Sequence, residues 1–304
     1  MSKNTGMRLT LSESRNRQRQ VLGIAFVLPA VVFLAVFVMY PVLYNVYLSF
    51  TNANLLKSEM SFVWFKNYQK MFTDPMFRKY FWNTIVWTVF SVIGQLALGL
   101  GIALIINKNI RFGTALRSFL LIPYVVPAVT LALVTKWMLN GDYGIISLWL
   151  QEAGAIAHRQ SLLALPGKAM AALIVVNIWR SYPFPMLMYW ATLKGIDTEL
   201  YEAAKVDGAG SMRLFWHITL PQLKDITIVL LVLRIIWTAT YFDLIWMVTG
   251  GGPAGSTMHL PITIYQASFG TFQTGYASSI SVILGLILFI CIIFYVKKTG
   301  ALDD

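Results

Sequence analysis

The sequence predicts an all-α, polytopic membrane protein of six transmembrane helices, with one polar helix-turn-helix loop between the fourth and the fifth. Three observations lead there. Of 304 residues, 57% are hydrophobic and only 12% charged, too few polar side chains to clothe a soluble globule of that size. Six apolar runs, at 21–50, 80–106, 115–139, 169–193, 226–248 and 276–296, each have the length of about 20 residues that a hydrocarbon core requires. Between the last pair but one lies a polar stretch, EAAKVDGAGSMRLFWHITLPQL at 202–223, which cannot itself span.

Residues 1–20 form a polar tail with Lys3, Arg8, Arg15, Arg17 and Arg19 against a single acid, Glu13. A basic head before an apolar run suggests a signal peptide. The run at 21–50 is too long for a signal core, however, and no small-residue cleavage site follows it. It reads as the first span, with a kink or break expected near Pro29 and Pro41. The loop at 51–79 is rich in aromatics (Phe62, Trp64, Phe65, Tyr68, Phe72), suited to an interfacial belt or to contact with a partner outside the cell. No repeat or low-complexity linker divides the chain. The expected organisation is a tail at 1–20, one six-helix domain at 21–296 containing a loop at 192–224, and a short tail at 297–304.

Six spans put both termini on one side, and the basic residues decide which. The side of the termini holds the five tail cations with Lys108, Arg111, Arg117, Lys194, Lys205, Arg213, Lys224, Lys297 and Lys298. The other side holds Lys57, Lys66, Lys70, Arg78, Lys79, Arg159 and Lys168. This 14 to 7 division places both termini and the 192–224 loop in the cytoplasm, because positive residues are retained inside. The formal net charge of +11 is therefore a topological signal and not a nucleic-acid footprint.

Within the spans lie Lys136, Arg180, Arg234 and Asp243. Each costs at least about 2.5 kcal/mol in hydrocarbon unless paired or facing water. Lys136 and Asp243 fall near the outer ends of their helices, where they could pair or border a vestibule; Lys136 could equally snorkel. Arg180 sits in Asn177-Ile178-Trp179-Arg180-Ser181-Tyr182-Pro183-Phe184-Pro185, where two prolines remove backbone donors. A break is expected there, and broken backbone at depth is tolerated where it is buried in protein or lines a watered cavity. Asn177, Trp179, Arg180, Tyr182, Tyr241 and Asp243 are accordingly the candidates for a polar path. The hydrogen-bonding groups and flat apolar faces among them suit a sugar, with Trp237 and Trp246 as weaker additions.

Nothing in the sequence points to catalysis or to a metal. Gly250–Thr257, GGGPAGST, has the glycine spacing of a P-loop but Ser256 in place of the lysine and a span in place of the preceding strand. His158, His217 and His259 are scattered, without a nearby acid at ligand spacing. The single cysteine, Cys291, excludes an intrachain disulfide.

In the polar loop, Ala203, Ala204, Ala209 and Gly210 keep the surface low, Gly208 permits a turn between two short helices, and Pro221 suits the first turn of the next helix. Glu202-Ala203-Ala204, Gly208, Ile218 and Leu220-Pro221 resemble, at full spacing, the EAA loop of ABC importer permeases. Further stretches are similar to the carbohydrate-uptake branch, the maltose and glycerol-3-phosphate type. These are Trp64 to Tyr68 with Asp74-Pro75 and Asn83-Thr84, Arg117 with Pro123 to Pro127, Trp179-Arg180 with Pro183-Phe184, and Phe242-Asp243 with Thr249 to Pro253. Lys224-Asp225 departs from the pattern where many relatives place a second proline.

That resemblance implies a subunit in a bacterial inner membrane that binds no cofactor itself. It would pair with a second homologous permease, sit on two ATPase subunits that hold ATP and magnesium, and receive its sugar from an extracytoplasmic binding protein. Glu202, Ala203, Ala204, Asp207 and Gly208 would form the ATPase-docking surface, with Glu202 meeting an arginine of the ATPase. An ion- or proton-coupled carrier is the competing class. It is disfavoured by the single clear acid, Asp243, within the spans.

Overall fold

The computed structural model describes residues 22–108, 113–156 and 158–299. The tail at 1–20, Arg111 and the last five residues lie outside the described residues. Sixteen helical elements follow one another: α1 (Leu22–Ser49), α2 (Lys66–Thr73), α3 (Pro75–Ile106), α4 (Gly113–Leu120), α5 (Ile122–Val125), α6 (Ala128–Met138), α7 (Ile145–Glu152), α8 (Pro166–Ser181), α9 (Pro183–Gly195), α10 (Thr198–Val206), α11 (Ser211–Leu214), α12 (Leu220–Gln222), α13 (Lys224–Ala239), α14 (Asp243–Thr249), α15 (Leu260–Tyr265) and α16 (Thr274–Thr299). The described residues contain no named strand, only isolated bridges such as Thr51 with Phe62.

Among the described residues, four helical segments are long and apolar enough to cross a bilayer: Leu22–Ser49, Pro75–Ile106, Lys224–Thr249 and Thr274–Tyr295. The other two predicted spans are assembled from consecutive pieces, α4 to α6 and α8 with α9. The third is divided by its prolines. Pro123 enters at the start of α5, and Val126, ahead of Pro127, is pushed to an extended ψ of 124°, as the residue before a proline is.

Two expected interruptions differ from what the sequence suggested. Around Pro29 the first helix continues without change, and around Pro41 the disturbance is a π turn at Ala35–Met39 that keeps the rod intact to Ser49. The wider turn accommodates a proline ring that would otherwise crowd the preceding carbonyls. At Pro183 and Pro185 the expected break shrinks to one residue. Tyr182 stays in the right-handed helical region (φ −61°, ψ −27°), and Met186 N still donates to Tyr182 O at 3.0 Å. Pro183 stands in the first turn of α9, where its missing donor is tolerated.

The long helix α3 is the central pillar, packed by α8, α9, α13 and α15. Close approach requires its glycines: a Cβ on Gly99 would fall 2.8 Å from Pro185 Cβ and 3.0 Å from Met186 N, and one on Gly94 would strike Ile178. One apolar cluster surrounds Trp87, Leu131, Leu173, Leu244 and Ile262. A second surrounds Ala103, Tyr182, Met186, Tyr189, Leu223 and Leu230. Between them along α3 lies a buried polar band of Thr88, Ser91 and Gln95, spaced at three and four residues on one helix face.

The aromatic loop after α1 folds back on the helix end. Phe50 packs against Phe62, Phe65 and Tyr68. Asn67 Nδ2 donates to the Ser49 and Thr51 carbonyls at 2.9 and 2.8 Å, capping carbonyls that a helix terminus leaves free.

Candidate functional site

Two regions carry the candidate residues. The first is the knob between α9 and α13. Asp197 caps α10 by accepting from Glu199 N at 3.0 Å, and α10 ends at Gly208 with φ +78°. Gly208 N donates to Lys205 O and Ala209 N to Ala204 O, at 3.0 and 2.9 Å. This paired closure of a helix C-terminus needs a left-handed residue, which glycine adopts without a Cβ penalty. Glu202, Ala203, Asp207 and Gly208 are exposed, and Ala204 is partly so. Apolar side chains stand out on the same knob: Val206 is 88% exposed and Met212 71%. The turn and both short helices thus form where the sequence placed them. The chain then passes through a π turn at Phe215–Thr219 before α12 and α13.

The second region is a charged and aromatic surface at mid-span. The fifth span is interrupted at 240–242, and its freed carbonyls are held from both sides. Trp87 Nε1 donates to Thr238 O at 2.9 Å, and the buried His259 lies with Nε2 3.0 Å from Tyr241 O. A carbonyl can only accept, so the His259 proton sits on Nε2. The loop that delivers His259 turns through Gly250, Gly251, Ala254 and Gly255 at positive φ. It is fastened to α3, where Asn83 Nδ2 donates to the Gly255 and Met258 carbonyls and Thr84 Oγ1 accepts from Leu260 N. GGGPAGST is therefore a chain of turns docked on a helix end.

At this interruption Arg180 places its guanidinium carbon 5.1 Å from the Tyr241 ring centre. Arg234 stands 5.6 Å from the Trp237 ring and donates from Nε to Gln95 Oε1 at 2.7 Å. Phe184 meets Trp237 edge-on at 5.3 Å and stacks with Tyr124 at 6.4 Å. Trp179 and Trp237 are 45% and 44% exposed. The half-exposed ring of Trp237 and the half-buried Arg180 and Tyr241 therefore stand beside the buried Arg234–Gln95 pair, while Trp179 lines a separate apolar groove with Val126 and Val175.

The six predicted path residues do not all face this mid-span surface. Trp179 and Asp243 are exposed and Arg180 and Tyr241 half-buried. Asn177 and Tyr182 are buried. The Tyr182 hydroxyl donates to Leu120 O at 3.0 Å, satisfying a carbonyl freed where α4 ends, so it ties two spans together. Asn177 turns to the same buried face and accepts from Ser181 Oγ at 3.3 Å. Sequence reading missed Tyr124 and Phe184 as members of the surface, whereas Arg234 was among the intramembrane charges it expected on a polar path. Among the described residues Lys136 and Asp243 form no ion pair. Lys136 shares a shallow pocket with Val248, so α14 runs alongside α6 with Asp243 at its far end, five residues or about 7 Å further along the axis. A separate groove of about 450 Å³ between α3, α13 and α16 has an apolar lining with no charged side chain.

Interrupted spanning helices, a polar surface at depth and a capped knob outside the bilayer define a transport permease. The chain belongs to the family of binding-protein-dependent transport system inner membrane components, which it matches over residues 95–298, and it is a multi-pass inner-membrane protein. It is 37% identical to the sulfoquinovosyl glycerol transport system permease protein SmoG of Agrobacterium fabrum, covering 87% of this chain and 86% of that one. It is 32% identical to the trehalose/maltose transport system permease protein MalF of Thermococcus litoralis, covering 91% and 92%. In fold it resembles a bacterial ABC transporter involved in import of the acidic polysaccharide alginate, with TM-score 0.81, 21% identity, and 96% and 100% of the two chains covered. Family membership sets aside the ion-coupled carrier.

Proposed function

We propose that this chain is one of two permease subunits of an ATP-driven importer of a sugar or sugar derivative. An extracytoplasmic binding protein delivers the sugar, and two ATPase subunits dock beneath the knob. The observation that carries the reading is the exposed, glycine-closed turn at Gly208 between the two spans that bear the charged and aromatic surface. A permease without a nucleotide motif receives energy by contact, and a rigid knob joined to α9 and α13 passes motion into those helices. Glu202, Ala203, Ala204, Asp207 and Gly208 are the docking surface. ATP and magnesium belong to the partner subunits, and both termini are cytoplasmic. A carbohydrate substrate is favoured by the substrates named for the SmoG and MalF relatives. It is favoured also by the faces of Trp237 and Tyr241, which suit the apolar faces of sugar rings. Proteoliposomes of the complete complex with its binding protein are expected to accumulate sugar only with ATP on the ATPase side. Uptake driven by a proton or sodium gradient instead would overturn the reading.

A further inference from the structure

The charge balance at mid-span is uneven. Arg234 is 5% exposed and lies ten residues into α13, about 15 Å from its start, beyond reach of the inner surface by snorkelling. Among the described residues its hydrogen-bond partner is the neutral Gln95. Arg180 stands against the Tyr241 ring and Arg234 against the Trp237 ring, two rings four residues apart on the same span. Within the described apolar runs the one carboxylate is Asp243, which lies toward the outer end of its span, two residues from Tyr241, and forms no ion pair with either arginine among the described residues. Two cations therefore face one acid.

Among the described residues, three buried side-chain donors lack a partner here, Gln95 Nε2, Asn177 Nδ2 and Arg180 Nε, beside the unpartnered hydroxyls of Thr88, Ser91, Thr238 and Tyr241 and the acceptor Nδ1 of His259. The Gln95 orientation is fixed, because the Arg234 guanidinium can only donate and must meet the amide oxygen. Gln95 is 0% exposed, so its unpartnered amide is a directed group and not a solvated one. An uncompensated cation and unmade donors in a low dielectric are costly, and an acceptor-rich anion relieves both.

We infer that Arg234 and Gln95, with Arg180, form a subsite for an acidic group, and that the imported substrate is an anionic sugar derivative bearing a carboxylate, sulfonate or phosphate. The Trp237 and Tyr241 faces would hold the ring while the acidic substituent meets the arginines. The inference rests on the importer reading and narrows its substrate class.

The test uses the assembled complex in nanodiscs, titrated with glucuronate and with glucose while tryptophan fluorescence is recorded. Glucuronate is expected to bind at least tenfold more tightly than glucose. Arg234→Gln should abolish that preference and Arg234→Lys should retain part of it. Equal binding of the two sugars, or a preference unchanged in Arg234→Gln, overturns the subsite. If Arg234→Gln does not assemble, Arg180→Gln is the second variant, and an undiminished preference there also overturns it. ATP-driven uptake that ignores sugar charge would remove this inference and leave the importer standing. Absence of ATP dependence would remove the importer.

Discussion

Gly208 holds a φ of +78° with open space where a Cβ would project. Replacement by alanine therefore carries only the left-handed backbone cost, about 1–2 kcal/mol. Gly208→Asp adds a branched, charged side chain to the exposed turn, and Glu202→Lys reverses a charge two turns away on α10. Both are expected to abolish uptake while the helices still insert, as measured by transport in cells beside membrane-fraction immunoblots. Normal uptake in either would count against docking at this knob. Gly208 was legible in the sequence because a helix closure of this kind admits few other residues. Arg234 was legible as a charge within a span and so as a candidate for a polar path, but not with its partner. Its partner Gln95 is 139 residues away, and neither its own neighbourhood nor helical periodicity could connect the two. The Tyr182 contact was hidden for a similar reason, since its partner, the Leu120 carbonyl, belongs to a different span.

Packing of the central pillar sets the tolerance of each helix. Gly99 faces Pro185 and the Met186 backbone nitrogen, neither of which can move without shifting α9. Gly94 meets the Ile178 side chain, which can change rotamer. Gly99→Ala is accordingly expected to destabilise the complex by about 1–3 kcal/mol, the usual cost of overpacking, and Gly94→Ala by less. Thermal unfolding of the two variants side by side checks the order, and equal loss would contradict the packing argument. Hydropathy located the four long apolar helices, because a bilayer imposes length and polarity on any span. It did not locate the interruptions. The proline pair at Pro183 and Pro185 disturbs one residue, whereas the proline-free 240–242 stretch opens. What decides is the set of donors available nearby, Trp87 and His259, and those come from distant parts of the chain.

At the scale of the whole molecule, the knob lies between two spans, so its side of the membrane fixes the orientation of everything else. Cysteine introduced at Lys205 or His217, with Cys291 replaced by Ala, is expected to react with a membrane-impermeant maleimide in inside-out vesicles and not in intact cells. The reverse pattern would overturn the docking role and the cytoplasmic termini together. Fold and family were readable from composition and the 202–221 spacing, both of which are local in sequence. The polar surface was only half readable, because four spans separated in the chain build it. The first helix has a further consequence. Over its most apolar stretch it is not buried by the rest of its own chain, and it meets α16 only through its later turns. Its 28 residues measure about 42 Å against a hydrocarbon layer of about 30 Å. The excess is met by tilting or by local thickening of the bilayer, and because its first turns are not braced by its own chain this is the part whose tilt follows bilayer thickness.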